Sequence, residues 1–468
     1  MHFVFISTLF QPPWGGCEVL WSEAALRARE DGHQVSVFVS ERTKLEPPLE
    51  KIFRAGGTIG FWKPYHPALN FSQRVCKKIL KKGMPEWEWW HRHLPKEADV
   101  ICLNQGGALC GPMRHGLTEA ILATGKPYVV LARADTGFEY LSERTRPHVR
   151  QFFEGAHAFV SASQSAIDLL RLYLPSKLPN AQVLHSPLAD YAAAEPRAGD
   201  RRSKIEAGVL GSDGGNQLAD SEAFWEGHSQ AGLQMEIQKS QNIREANAPV
   251  TSGQSSSSVL ISVIRGEESG ETKQVPCSAT EIAPEAQVIE MACVGRLRVG
   301  DKGQQLLLAA LAEEPWRSRP YRLSFYGEGP DRKYLEELVE FYGLGEKVHF
   351  AGHTKDVGEI WRRSHLAIQP SFMEGAPQSL LEAMLCRRPC VATAVSGIPE
   401  WVEEGKTGFL AEAPTVPHLR LALERAWENR HRWREMGETA REACLAKRDP
   451  DPAGTLLGLL ETAAASEN

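Results

Sequence analysis

"FVFISTLFQPPWGGCEVLWSEAALRAREDGHQVSVFVS" runs from Phe3 to Ser40, and its reading decides the fold class. Phe3 to Ser7 is an apolar, strand-like run. Pro12, Pro13, Gly15 and Gly16 then mark a loop, and "EVLWSEAALRARE" repeats apolar residues at helical spacing as far as Gly32. "QVSVFVS" follows almost at once as a second strand. Strand, loop, helix and strand in that order make one crossover unit, the building block of a parallel sheet with helices on both faces.

The pattern recurs. Short strands are expected at Val100 to Leu103, Tyr128 to Leu131, Ala158 to Val160 and Gln182 to Leu184, with helices at His115 to Thr124 and Gln164 to Leu172. A second series opens near Met291, where "MACVGRL" is a strand, "GQQLLLAALAEE" a helix and "YRLSFYGEG" a strand ending in a glycine turn. "KVHFAG", "LAIQPS" and "RPCVATA" supply further strands. Asp331 to Tyr342, Asp356 to Ser364 and Gln378 to Cys386 supply helices. Val416 to Cys444 reads as helix, with a basic interruption before Trp433, and "GTLLGLLETAAASEN" adds one short helix.

The expected layout is a first parallel-sheet domain over 1–190, a variable insertion or small β-rich module over 191–290, a second parallel-sheet domain over 291–445 and a terminal extension over 446–468. Within the insertion, the serine run Ser255 to Ser258 lies beside β-prone stretches at 259–264 and 273–275. Either it packs on a domain edge, or it forms a module whose Phe224 and Trp225 touch carbohydrate.

Composition narrows the function classes. The chain has 468 residues, 42% hydrophobic and 24% charged, and a formal net charge of -6 without a long basic run, which gives no support to a nucleic-acid surface. Nine scattered cysteines lack metal-ligand spacing and read as reduced and structural in a cytosolic protein. "MHFVFISTLF" reads as a buried strand and not an export signal. No stretch reaches the roughly 20 apolar residues of a membrane span. Trp87, Trp89 and Trp90, near Lys77, Lys78, Lys81 and Lys82, form either a locally packed group or an edge facing a membrane or acceptor.

The chemistry gathers around three loops. In "PSFMEGAPQSLLEAM", Glu374 lies just outside a helix entrance and Glu382 within the helix, with Gly375 permitting close approach. A carboxylate accepts two hydroxyl hydrogen bonds, so Glu382 suits a ribose diol and Glu374 the hydroxyls of a sugar. The plain alternative makes one an ordinary acid at a helix start and the other a solvent-facing helical residue. In "VGRLRVGDKG", Arg296 and Lys302 follow a strand and can converge on a diphosphate, or can be surface charge. In "QPPWGGCEVL", Gly15 and Gly16 bring a loop near the space between the domains, but neither GxGxxG nor GxxxxGK[ST] is present.

Together these residues resemble the retaining glycosyltransferases of family 4, also called glycosyl transferases group 1. The resemblance is strong over Ala292 to Leu410 and weaker over Met1 to Leu188, and Glu374 and Glu382 match the family's pair of glutamates separated by seven residues. It implies an α/β fold of GT-B type, with two Rossmann-like domains, and a retaining hexosyltransferase-like enzyme. The donor would be a nucleotide-diphosphate sugar, with no cofactor and no metal. By the resemblance Glu374, Arg296 and Lys302 are the catalytic residues, and Gly15, Gly16, Arg296, Lys302, Gly327, Gly329, Glu374, Gly375 and Glu382 bind the donor. "YGEGP" at Tyr326 to Pro330 matches the turn beside the nucleotide.

The sequence departs from the family pattern at two places. "PYVVLARADTG" offers Ala134 where a histidine is common, leaving Arg133, Asp135 and, farther off, His115 as acceptor-side candidates. "CRRP" at Cys386 to Pro389 replaces a small residue and glycine, with Arg387 and Arg388 expected to point to solvent. The function implied is sugar transfer to a hydroxyl acceptor in surface polysaccharide or glycoconjugate synthesis, in the cytoplasm or at the inner face of a membrane, the acceptor being a glycan or lipid-linked. The alternatives are a noncatalytic nucleotide-sugar or carbohydrate-binding protein and a GT-B glycan phosphorylase.

Overall fold

The computed structural model describes residues 1–8, 16–41, 43, 47–62, 86–107, 115–134, 141–188, 288–354 and 356–466. All of them belong to one compact unit, Met1–Pro196 with Thr272–Asn468. The other unit, Arg197–Glu271, lies outside the described residues, as do the expected insertion strands and Phe224 and Trp225.

The first sheet has strands β1 (His2–Ser7), β2 (Gln34–Ser40), β3 (Thr58–Trp62), β4 (Val100–Gly107), β5 (Tyr128–Ala134), β6 (Ala158–Ser161) and β7 (Ala181–Val183). They are parallel throughout and lie in the order β3-β2-β1-β4-β5-β6-β7. Successive side chains of a strand point to opposite faces, and every residue of β1 is buried. Phe3 and Phe5 pack with the helix Gly16–Glu30 on one face; Val4 and Ile6 pack with Leu117, Phe152 and Phe153 on the other. Burial on both faces explains the unbroken apolar run that opened the sequence.

The second sheet has strands β8 (Ile289–Val294), β9 (Tyr321–Tyr326), β10 (Val348–Gly352), β11 (Leu366–Gln369), β12 (Cys390–Thr393) and β13 (Gly408–Ala411). Its order is β10-β9-β8-β11-β12-β13, again all parallel. Two Rossmann-like parallel-sheet domains are thus present, and the architecture is GT-B. In each sheet the order turns back on itself once, between β1 and β4 and between β8 and β11, and open parallel sheets bind ligands at the carboxyl side of that point.

Several expectations need adjustment. The helix expected from Val416 to Cys444 is two helices, Val416–Glu428 and Trp433–Lys447, separated by the 3-10 turn Arg430–Arg432. Trp433 causes the break: its indole is buried and donates to the Ala426 carbonyl at 3.0 Å, so the chain turns to seat it. The final helix, Pro452–Ala465, packs Leu456, Leu460 and Ala463 into the core of the first sheet beside Phe5 and Trp21.

Arg388 does not point to solvent. It is 4% exposed and lies near His365; burial first, and the Arg388 charge second, hold that imidazole toward its neutral form. Arg387 is half-buried, with its guanidinium on Glu438 at 2.7 Å. Trp90 is buried against Phe38 and Trp62, and Trp89 stacks on His93, which is local packing. The Trp87 side chain and Lys77, Lys78, Lys81 and Lys82 lie outside the described residues. Cys102, Cys293, Cys386, Cys390 and Cys444 are buried and in no disulfide.

Candidate functional site

The site grows from the turning point of the second sheet. β8 and β11 are neighbours, with Ala292 opposite Ala367, so the loops leaving their carboxyl ends emerge side by side. β8 delivers Gly295 and Arg296, while β11 delivers Gln369, Ser371 and Glu374. Lys302 ends the short helix Val299–Lys302, which Asp331 holds by accepting from the Val299 amide at 2.8 Å. The Phe372 amide donates to the Asp301 carbonyl at 2.9 Å and ties that helix to the Glu374 loop.

Lys302 and Glu374 meet directly, Nζ to Oε1 at 2.5 Å. The same oxygen accepts from Gln369 Nε2 at 2.5 Å and from Ser371 Oγ at 2.8 Å. Glu374 is 8% exposed, so its position is that of a held, largely desolvated carboxylate. Three donors on one oxygen orient the group and leave Oε2 for a further hydroxyl. The plain reading of Glu374 as a surface acid at a helix start does not fit this arrangement.

Arg296 lies next to this cluster. Its carbonyl accepts from Gln304 Nε2 at 2.8 Å, and its side chain lines a cavity of about 880 Å³ together with Tyr326, Gly327, His353 and Ile360. A cavity of that size suits a nucleotide. Gly327 and Gly329 border it for a backbone reason. Gly327 has φ +135°, and a Cβ there would lie 2.1 Å from the Gly295 carbonyl oxygen, as one on Gly329 would lie 2.2 Å from that of Leu297. The turn Tyr326 to Pro330 therefore rests on the loop that carries Arg296, which only glycine permits.

Glu382 sits on the helix Gln378–Leu385, directly after the Glu374 loop. It is half-buried. Burial pushes its carboxyl up to about 8, and among the described residues no cation or donor meets it. Gly375 is packed by its carbonyl against Gly397.

The first domain contributes less. Gly15 and Asp135 lie outside the described residues, as do the side chains of Arg133, at the end of β5, and His115, at the start of the helix His115–Ala123. Gly16 is described: a Cβ on it would meet Gln378 Oε1 at 2.3 Å and Ser186 Oγ at 2.7 Å, so this loop end touches the entrance of the Glu382 helix.

Sequence reasoning missed Gln369, Ser371 and Thr393. All three are buried, and Thr393 Oγ1 donates to the Ser371 carbonyl at 2.5 Å. The available signal was "LAIQPS", where polar residues end an otherwise apolar strand. Among the described residues no group of His, Cys, Asp and Glu is disposed to hold a metal ion, and no helix is long and apolar enough to cross a membrane.

Known proteins are similar to part of the second domain in sequence and to the whole chain in fold. Residues 281–443 match the family model described as Glycosyl transferases group 1. N-acetyl-alpha-D-glucosaminyl L-malate synthase of Bacillus anthracis is 34% identical over 122 residues, 26% of this chain and 32% of the relative. Alpha-D-kanosaminyltransferase of Streptomyces kanamyceticus is 31% identical over 166 residues, 35% of this chain and 43% of the relative. The chain thus matches less than half the length of each. The solved structure of HepE from Anabaena in complex with UDP shares the fold, with a TM-score of 0.61 over 99% of this chain and 100% of that one at 16% identity. The stretch that carries Arg296, Lys302, Glu374 and Glu382 is therefore related to the glycosyl transferases group 1, within a chain whose fold is GT-B.

Proposed function

We propose that this protein is a retaining glycosyltransferase that moves a hexosyl group from a nucleoside diphosphate sugar to a hydroxyl acceptor. The observation that carries the reading is the buried pairing of Lys302 with Glu374 at the carboxyl side of β8 and β11, beside the loop of Gly295 and Arg296 that borders the cavity. The relatives named above, with transferase names or bound UDP, support it.

In this reading Arg296 and Lys302 receive the diphosphate, and their charge stabilises the negative charge that grows as the bond from the anomeric carbon to phosphate oxygen breaks. Lys302 reaches the phosphates from its place on Glu374, which then turns its free oxygen to a hydroxyl of the donor sugar. Glu382 takes the ribose diol. The new bond forms between the anomeric carbon and the acceptor oxygen on the face that the diphosphate leaves, and the acceptor proton passes to the departing phosphate oxygen. No covalent enzyme intermediate is needed, unlike the paired-carboxylate route of retaining hydrolases. The first domain, 1–190, carries the acceptor, with Arg133, Asp135 and His115 as its candidate contacts; 291–445 carries the donor. We place the reaction in the cytoplasm, at the inner face of a membrane where the acceptor is lipid-linked.

Calorimetric titration of UDP, GDP and ADP into the full chain, repeated with Arg296→Ala and Glu382→Ala, tests the site. At least one nucleotide should bind, and each substitution should weaken it about tenfold or more. Binding that ignores both changes would remove the assignment. NMR of the product's anomeric centre then reads retention, and an inverted product would refute that part.

A further inference from the structure

A single carboxylate of the second domain clamps the first. Glu400 ends the 3-10 turn Ile398–Glu400; its Oε2 accepts from the Gln164 amide at 3.1 Å and its Oε1 from the Ser165 amide at 2.9 Å. Those amides open the helix Gln164–Tyr173, whose cap Ser163 takes the Ala166 amide. First-turn amides have no acceptor within their own helix and carry its positive end, so a carboxylate from the other sheet satisfies them with charge-assisted hydrogen bonds.

The same short turn holds the Glu374 loop. The Gly397 amide donates to the Glu374 carbonyl at 3.2 Å. A Cβ on Gly397 would lie 2.1 Å from the Gly375 carbonyl oxygen and 2.9 Å from Ser163 Cβ, so this glycine is pressed between that loop and the helix cap of the first domain. The contact region lies where the chain passes between the sheets. β7 ends at Val183, and His185 beyond it meets the Trp401 ring at 4.6 Å. On the return path Lys447 donates to the Glu400 carbonyl and lies 5.2 Å over Trp401, before Pro452–Ala465 joins the first core. Beside the clamp a cavity of about 550 Å³, lined by His185, Glu400, Lys447 and Arg448, leaves room for it to open.

We infer that Glu400 is a positioning residue: it sets the angle between the two sheets and the placement of the Glu374 loop as one coupled quantity. A clamp this close to both chain crossings acts with a short lever, so a small displacement there becomes a large one at the far edge of each domain. Release of Glu400 frees the turn 397–400, and the Glu374 backbone then loses its donor Gly397. Hinge positions far from the bond being made change turnover in this way. The consequence for turnover rests on the transferase reading; the coupling rests on the contacts alone.

Hydrogen–deuterium exchange read by mass spectrometry on the full chain decides it without any substrate. The comparison is wild type, Glu400→Gln, Glu400→Ala and the surface-pair control Glu438→Gln. Peptides over Gln164 and Ser165 should exchange about tenfold faster in both Glu400 variants. Peptides over 372–375 and Gly397 should accelerate with them, and the control should change neither set. Acceleration confined to Gln164 and Ser165 would make Glu400 a helix cap with no reach, and unchanged exchange would remove the clamp; either result overturns the inference. The isosteric Glu400→Gln carries the test should Glu400→Ala fail to fold. In a transfer assay Glu400→Gln should lower kcat about tenfold while leaving the donor KM within about twofold. A chain that transfers no sugar would count against the transferase reading alone, because the exchange comparison does not depend on it.

Discussion

Glu382 shows how one side chain joins stability to binding. Its carboxyl is pushed up by burial from the ordinary 4.5 to about 8, so between those pH values the folded chain holds a proton that the unfolded chain releases. Stability from this group is therefore greatest at low pH, falls as pH rises through that window and levels off above about 8. Glu382→Gln should flatten the fall, a difference of about 3–5 kcal/mol across the window, read by urea unfolding at pH 5 and pH 9. A ribose diol needs the ionised form, so nucleotide affinity should rise about tenfold from pH 7 to pH 9 in the wild type and stay flat in Glu382→Gln. Lys302→Ala removes a cation from a buried carboxylate and should lower stability by about 1–3 kcal/mol in the same unfolding measurement.

The "CRRP" departure has a local cost. Arg387 adopts φ +58°, the left-handed region where glycine is at ease, and its carbonyl lies against Gly437. The Arg387–Glu438 pair, with Glu438 half-exposed, offsets part of that strain but is worth under about 1 kcal/mol. Arg387→Gly should leave the thermal unfolding midpoint unchanged or raise it. The residue types of the site were legible in the sequence. Their partners were not, because Lys302 and Glu374 lie 72 positions apart and spacing cannot tell which oxygen a lysine will find.

At the scale of elements, apolar periodicity located eleven of the thirteen described strands, all but β3 and β13, and most helices within a few residues, because strands buried on both faces and amphipathic helices leave distinct patterns. It failed where a tertiary contact decided the outcome. Between Leu419 and Cys444 there is no proline and no strand-like run, yet the chain turns at Asn429 so that the Trp433 indole can reach Ala426. The destination of the last helix was equally invisible. The stretch reads only as one short helix, and only the fold shows Leu456 and Leu460 sealing the face of the first sheet that carries Phe5 and Trp21. Leu460→Asp would bury an unpaired charge there and should cost about 3 kcal/mol or more, lowering the unfolding midpoint of the first domain by calorimetry.

At the scale of the molecule, two sheets of the same strand logic serve different ends. Each turns back once, and the second sheet places a cavity, two cations and two carboxyls at or beside that point, while the first lends Gly16 and the clamped helix Gln164–Tyr173. The central claim is that the second domain grips a nucleoside diphosphate there. A crystal structure of the full chain grown with the tightest-binding of UDP, GDP and ADP tests it most directly. The account predicts the diphosphate within hydrogen-bonding reach of Arg296 and Lys302, the ribose hydroxyls on Glu382 and the base in the cavity beside Gly327. A nucleotide seated elsewhere, with the Lys302–Glu374 pair intact and Glu382 untouched, would contradict it.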